Sequence, residues 1–263
     1  MVRDIEKMQF ELHAKLPTFK RKIDKARAII DEALAINVRW SLSFSGGIDS
    51  TVLLDLLNDA HITTHFGDDG ADYSQTLQFL SETEQRYNFE LQRIRCLEPW
   101  RDWSIEMARH DLAVPGPAMD AAWLNPHQWH STWPSLKHAV YHGYSGVFLG
   151  LLASESRSRS YALKGGHKPL YQVVSGHGMW HCSPLASWTK QDIFAYAVSR
   201  NIAYNPVYDR LAELGVPLER RRVAPLSCFR VMQYGSHGYI LKSIDYEMYN
   251  KLGAIFPKIR EYS

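Results

Sequence analysis

The 263-residue sequence predicts an α/β fold, with a doubly wound, mostly parallel five-stranded sheet, helices ahead of it and a loop-rich C-terminal extension behind it. Two observations carry that prediction. Short β-prone segments alternate with amphipathic helical ones from Trp40 to Ile94, and the alternation resumes after Pro134. The first of those strands also runs directly into two glycines and then a helix, in Ser45-Gly46-Gly47-Ile48-Asp49-Ser50.

Taken in order, residues 2–36 read as helix, because Leu12, Leu16, Phe19, Ile23, Ala26, Ile30 and Leu34 recur at helical spacing among charged residues. Pro17 should split that stretch into two helices. Trp40–Phe44 is a strand, Ser50–Asn58 a helix, His61–Phe66 a second strand, residues 73–87 a helix and Phe89–Ile94 a third strand. Between Leu97 and Pro134 the alternation stops. Trp100, Trp103, Trp123, Trp129 and Trp133 sit there among prolines, which suggests an insertion over one end of the sheet, with Trp103–His110 its best helix. Tryptophan clusters serve packing more often than recognition, but the position of this one over one end of the sheet keeps substrate binding open. Ser135–His142 returns to helix and Gly146–Gly150 to strand, while Tyr171–Val174 and Met179–Cys182 form a hairpin. Thr189–Arg200 is a helix with a capping box at Thr189 and Asp192. The organisation expected is a helical segment over 1–38, an α/β core over 39–200 holding the 97–134 insertion, and an extension over 201–263.

Composition narrows the class without naming an activity. The chain is 45% hydrophobic and 22% charged, with a net charge of +2, so bulk attraction to nucleic acid or to an anionic membrane is not indicated. No apolar run reaches the roughly 20 residues that span a bilayer, and the charged N-terminus lacks a signal-peptide stretch. Cys96, Cys182 and Cys228 are widely spaced and odd in number, which suits a reduced, cytoplasmic protein.

The turn at 45–50 carries the chemistry. A strand that turns sharply into a helix leaves backbone N–H groups pointing outward, with the positive end of the helix dipole behind them. That is an anion site suited to a phosphate chain. Gly46 and Gly47 permit the turn and a close backbone approach, Ile48 opens the helix, and Ser45, Ser50 and Thr51 add hydroxyl donors. Asp49 needs a cation between its carboxylate and phosphate, and Mg²⁺ is the natural one. The spacing is not that of a Walker loop, which also requires a lysine. The bland alternative is a glycine-rich turn with an incidental serine.

A second constellation follows strand 146–150. Its loop, Gly150 to Arg159, should face the same crevice, since ligands bind beyond the carboxyl ends of strands at the switch point. Arg157 and Arg159 suit oxyanions, with Lys164 and Lys168 close by, unless this is simply a solvated basic loop. Cys228, near Arg220, Arg221, Arg222 and Arg230, reads either as a sulfur-carrying thiolate or as an idle cysteine, the latter favoured. His177, His181 and Cys182 fit no standard zinc spacing.

Ser45–Ser50 matches the Ser-Gly-Gly-x-Asp-Ser signature of the PP-loop ATP pyrophosphatases. Gly150…Glu155-Ser156…Arg159, Pro184-Leu185…Trp188-Thr189…Asp192-Ile193 and Asn205-Pro206-Val207-Tyr208-Asp209 resemble elements of the PAPS reductase-like family, in that family's order. Asp68 falls where many relatives keep an acidic residue near adenosine. The resemblance implies an adenine nucleotide alpha hydrolase-like, Rossmann-like core. It also implies a nucleotide held by Ser45, Gly46, Gly47, Ile48, Asp49, Ser50, Asp68, Gly150, Glu155 and Ser156, with Ser45, Asp49, Ser50, Arg157 and Arg159 acting on the phosphates and Mg²⁺ held by Asp49.

The departures point away from sulfonucleotide reduction. Leu152 stands where an arginine is usual, the reductase's C-terminal cysteine segment is missing, and three scattered cysteines do not make an iron–sulfur site. The intact loop serines favour ATP. The expectation is therefore adenylation of an acceptor with release of pyrophosphate. Resemblance to DNA- and RNA-thiolating relatives leaves room for a sulfur-donor protein or a nucleic-acid modification partner, and a homodimer is compatible. The alternatives are a PAPS reductase working with a partner thiol and a nucleotide-binding subunit without turnover of its own.

Overall fold

Proline sets the first boundary. Helix α1 spans Asp4–Ala14, and α2 begins at Pro17 and runs to Leu34. A proline in a helix's first turn forfeits only an N–H that has no intrahelical partner. The apolar stripe of α2, with Phe19, Ile23, Ala26, Ile30 and Ala33, is buried. The computed structural model describes residues 4–68, 72–95, 139–155, 157–161, 163, 168–173, 178–223, 237–255 and 260. The tryptophan-rich stretch 97–134, its expected helix at Trp103–His110, and Cys96, Ser156, Lys164, His177, Cys228 and Arg230 lie outside these residues.

Strand β1 (Trp40–Ser43) leads to α3 (Ile48–Leu56), β2 (Thr63–Asp68), α4 (Ser74–Tyr87) and β3 (Leu91–Arg95). Then come β4 (Gly146–Leu149), a 3₁₀ turn at Ala153–Glu155, the short α5 (Arg157–Ser160), β5 (Leu170–Gln172) and β6 (Trp180–Cys182). Helices α6 (Lys190–Ser199), α7 (Val207–Glu213), α8 (His237–Ile244) and α9 (Tyr246–Ile255) follow. Strands β2 and β3 begin two residues later than their sequence patterns suggest. His61 (φ 46°) and Asn88 (φ 49°) adopt left-handed conformations that close the preceding helical turns first.

The sheet has six strands, one more than expected, in the order β3-β2-β1-β4-β6-β5. Both arms of the predicted hairpin join it: β6 pairs parallel to β4, and β5 lies antiparallel on the edge. Strand β1 is central, with Ser43 opposite His65 of β2 on one side and Leu149 of β4 on the other. The chain moves from β1 outward to β3 and then crosses back to β4, so the switch point lies between the carboxyl ends of β1 and β4. Gly146 is obligatory for this pairing, because a β-carbon there would sit 2.5 Å from the Trp40 ring.

The core surrounds β1, α3 and α6. Leu42, Phe44, Ile48, Val52, Leu53, Phe148, Ile193 and Phe194 are all buried. Phe10 stacks on Phe194 at 5.2 Å, and Phe19 meets Trp188 edge-on at 5.6 Å, which seats the N-terminal helices on α6. The last helices are tied to α4 through Asp245, which accepts from Ser74 N and Oγ (both 2.8 Å) and from Met248 N (2.9 Å). Among the described residues, no helix is long and apolar enough to cross a membrane.

Candidate functional site

The loop leaving β1 is tightened from within. Gly46 takes φ +68°, a conformation that favours glycine, and Gly47 caps α3 in an extended conformation. The Gly47 carbonyl accepts from Ser50 Oγ (2.8 Å), Thr51 Oγ1 (3.0 Å) and Thr51 N (3.0 Å). Ser45 Oγ accepts from Gly47 N (3.4 Å) and lies 3.3 Å from Ser50 Oγ. Both signature serines therefore brace the turn as well as lining it.

A distant segment completes the brace. Asn205, fully buried, donates from Nδ2 to Thr76 Oγ1 (2.8 Å) and to the Gly46 carbonyl (3.3 Å), while its Oδ1 accepts from Val207 N (3.0 Å). Ile48 N donates to Tyr208 Oη at 3.1 Å. Burial, and then the charge of nearby Asp49, push the Tyr208 phenol well up, so it stays protonated. Asn205-Pro206-Val207-Tyr208-Asp209 is thus the back wall of the loop. Sequence reasoning placed the segment in a family pattern but gave it no role.

The loop after β4 presses against the same turn. A β-carbon on Gly150 would lie 2.9 Å from Ser50 N and 3.0 Å from the Asp49 carbonyl carbon. Glycine there lets the β4 loop pack directly on the backbone of the first turn of α3.

A cluster of five charges links the loops after β1 and β4 to the start of α6. Lys190 Nζ pairs with Asp49 Oδ2 and lies 3.4 Å from Glu155 Oε1. Arg222 Nη1 donates to the same Glu155 oxygen at 2.9 Å, and Arg159 Nη1 pairs with Glu155 Oε2. Side chains of Lys190 and Glu155 are only 6% and 8% exposed, whereas Arg159 and Arg222 reach solvent. Burial, then the neighbouring Arg222, push the Arg159 guanidinium below its ordinary value. Burial does the same to Lys190, against the pull of Asp49. Within this chain three cations face two carboxylates.

The sequence-predicted residues divide accordingly. Ser45, Gly46, Gly47, Ile48, Asp49, Ser50, Gly150, Glu155 and Arg159 come together at the switch point. Glu155 does so as the anion gathering the cations, not as a group facing open space. Asp68 ends β2, one strand over from the charge cluster. Arg157 is exposed and stands outside it, so the expected pair of arginines is a pair of Arg159 and Arg222. Arg221 is buried and forks onto Glu6 of α1 (3.0 and 2.7 Å), a structural tether, and Arg220 is exposed. Lys190 was missed altogether. Its signal was a lysine in the first turn of a helix, where the dipole favours acids.

Asp49 also bears on a metal. Its Oδ1 is buried and has no hydrogen-bond partner among the described residues. No group of three or more His, Cys, Asp or Glu among those residues could hold a metal ion. One open carboxylate oxygen fits Mg²⁺ that arrives with phosphate oxygens, because Mg²⁺ is held by one or two carboxylates plus substrate. It does not fit a protein-caged ion.

Two loops meeting at the switch point of a mostly parallel sheet define a class of α/β proteins, and comparison with known proteins narrows it. Residues 39–113 and 128–255 match the phosphoadenosine phosphosulfate reductase domain, and the chain belongs to that family. It is 22% identical over 248 residues to "Uncharacterized protein YbdN" of Escherichia coli (strain K12), covering 80% of this chain and 59% of that protein. It is 27% identical over 215 residues to "Uncharacterized 37.8 kDa protein in gpa 5'region" of Escherichia phage 186, covering 64% of this chain and 63% of that one. The chain thus spans about three fifths of the length of these relatives. Its fold resembles that of a mutant of Candida glabrata FMN adenylyltransferase (TM-score 0.53, 15% identity, 78% of this chain and 66% of that one). It also resembles Candida auris phosphoadenylyl-sulfate reductase (TM-score 0.50, 13% identity, 86% and 96%). These likenesses show a shared fold.

Proposed function

We propose that this chain binds ATP at the turn 45–50 and transfers its adenylyl group to an acceptor, releasing pyrophosphate. One observation carries the reading. The loops ending β1 and β4 meet at the switch point, where Gly150 lets the β4 loop pack directly on the first turn of α3 and brings the guanidinium groups of Arg159 and Arg222 to the same carboxylate, Glu155.

In this reading the first-turn amides of α3 receive the β and γ phosphates, and Gly46 and Gly47 let the backbone approach them. The acceptor oxygen attacks the α-phosphorus in line. The bond from that phosphorus to the bridging oxygen breaks, and its electrons leave with pyrophosphate. Arg159 and Arg222 face the charge that gathers there. Such a transfer rests on positioning and on charge stabilisation, which suits a site made of amides, hydroxyls and cations. Mg²⁺ would be held by Asp49 Oδ1 with nucleotide oxygens and supplies charge neutralisation. Adenylyl transfer is the activity named for the FMN adenylyltransferase that shares the fold, and a complex with ATP is described for that protein (TM-score 0.50). Among the described residues, Cys182 does not supply a reactive thiol for sulfonucleotide reduction, because it is buried and burial pushes its thiol well up.

Incubation with ATP labelled at the α-phosphate, Mg²⁺ and a panel of sulfate, flavin and nucleic-acid acceptors is expected to yield pyrophosphate with labelled AMP or labelled acceptor. Absence of every such product across the panel contradicts the proposal.

A further inference from the structure

We propose that Lys190 is a phosphate-binding residue of this site, a built-in cation that Asp49 and Glu155 hold in place for the nucleotide's polyphosphate chain. The proposal rests on the nucleotide reading above and assigns a ligand group to a residue outside the PP-loop and the arginine loop.

The Lys190 side chain is only 6% exposed and is held there by its pairing with Asp49 and Glu155, the condition for burying a lysine. Yet Lys190 occupies the first position of α6, the positive end of a helix, where a cation is unfavourable. A residue present only for stability would carry the opposite charge there. Departures of this kind concentrate where function requires them.

Its placement is also deliberate in mechanical terms. The capping box of Thr189 and Asp192 fixes the start of α6, and Asp192 is itself clamped by His13 (2.8 Å) and Lys22 (2.5 Å). The lysine stem therefore leaves a rigid base and ends at Asp49, in the first turn of α3. Two helix N-termini and the Lys190 ammonium converge on one side of the crevice. Arg159 and Arg222 add two more cations around the same two carboxylates, Asp49 and Glu155. Among the described residues the cluster therefore sets three cations against two carboxylates beside the N-termini of α3 and α6. An anion of the size and charge of a polyphosphate complements it.

The structural alternative is that Lys190 only neutralises Asp49. A double-mutant comparison separates the two, since removing the pair together leaves no buried unpaired charge. ATP and adenosine binding would be measured by tryptophan fluorescence for wild type, K190M, D49N and K190M/D49N, all in Mg²⁺, with thermal unfolding recorded alongside. The expected result is that K190M binds ATP about 10- to 100-fold more weakly, the scale of one charge-assisted hydrogen bond, while adenosine affinity holds. The double variant should likewise bind ATP more weakly than D49N. Equal ATP affinity in D49N and K190M/D49N would overturn the proposal, as would wild-type affinity in K190M. ATP binding without adenylyl transfer in the wild type would defeat only the proposed function and leave Lys190 as a phosphate ligand. No ATP binding by the wild type would end both.

Discussion

Two carboxylates flank the start of α6, Asp192 buried and Asp49 partly buried, and are used in opposite ways. Asp192 is saturated: it accepts from Thr189 N (2.7 Å), Thr189 Oγ1 (2.9 Å), His13 (2.8 Å) and Lys22 (2.5 Å). Those partners come from α1, α2 and the cap of α6, so the carboxylate joins three helices. Asp49 is left incomplete, with Oδ2 on Lys190 and Oδ1 buried without a partner among the described residues. A saturated ion network is a joint, and an unsaturated one beside a glycine-lined space is a place for something else to bind. Both meet at the first turn of α6, where Lys190 and Asp192 stand two residues apart.

The largest effect should come from breaking the joint. Asp192→Ala leaves Lys22 and His13 without their partner and is expected to cost about 3 to 5 kcal/mol in urea unfolding. The pH dependence follows from the same carboxyl. Burial opposes its charged form, but the bonds from Lys22, His13 and Thr189 outweigh that and hold its pKa below the ordinary 3.8. A depressed folded value means the stabilisation is complete above the unfolded value and is lost as pH falls through the folded one. Wild type should therefore lose stability below about pH 4, the ordinary carboxyl range, and Asp192→Asn should lack that part of the slope. An unchanged slope would mean the joint does not carry this charge.

Next comes the wall between the two regions. Asn205→Ala strands the Gly46 carbonyl and Thr76 hydroxyl and should cost about 1 to 3 kcal/mol while also weakening ATP binding, read by unfolding and by titration. Of similar size in stability and larger in binding is Gly150→Ala, whose methyl would lie 2.9 Å from Ser50 N and push the β4 loop off the first turn of α3, so unfolding should cost about 1 to 3 kcal/mol and ATP affinity should fall by about tenfold or more. The least effect on stability belongs to Arg222→Ala. Its guanidinium is exposed and shares Glu155 with two other cations, so unfolding should move by about 0.5 kcal/mol or less, while turnover drops clearly. A strongly destabilised Arg222→Ala protein would erase the distinction between joint and site.

Most of the fold was legible because its signals are local. Pro17 marks the break between α1 and α2, the Thr189–Asp192 capping box opens α6, and two glycines after an apolar strand announce the turn at 45–50. The edges of β2 and β3 were misjudged for an equally local reason, the left-handed His61 and Asn88, which no apolar pattern records. Roles fixed by tertiary approach were not legible. Nothing near position 208 reveals that Tyr208 would receive the Ile48 amide, and nothing in Arg220-Arg221-Arg222 says which one tethers α1 and which one meets Glu155. Lys190 was the exception that could have been caught. A lysine directly after an N-cap contradicts the dipole and asks for a reason.

The central claim, that the crevice between the β1 and β4 loops is a site for the phosphate chain of ATP, is tested most directly by comparing the equilibrium affinities of ATP and AMP for the wild-type protein in Mg²⁺. Cations and amides that hold the β and γ phosphates should make ATP bind at least about tenfold more tightly than AMP. Equal affinity for the two nucleotides, or no binding of either, would contradict it.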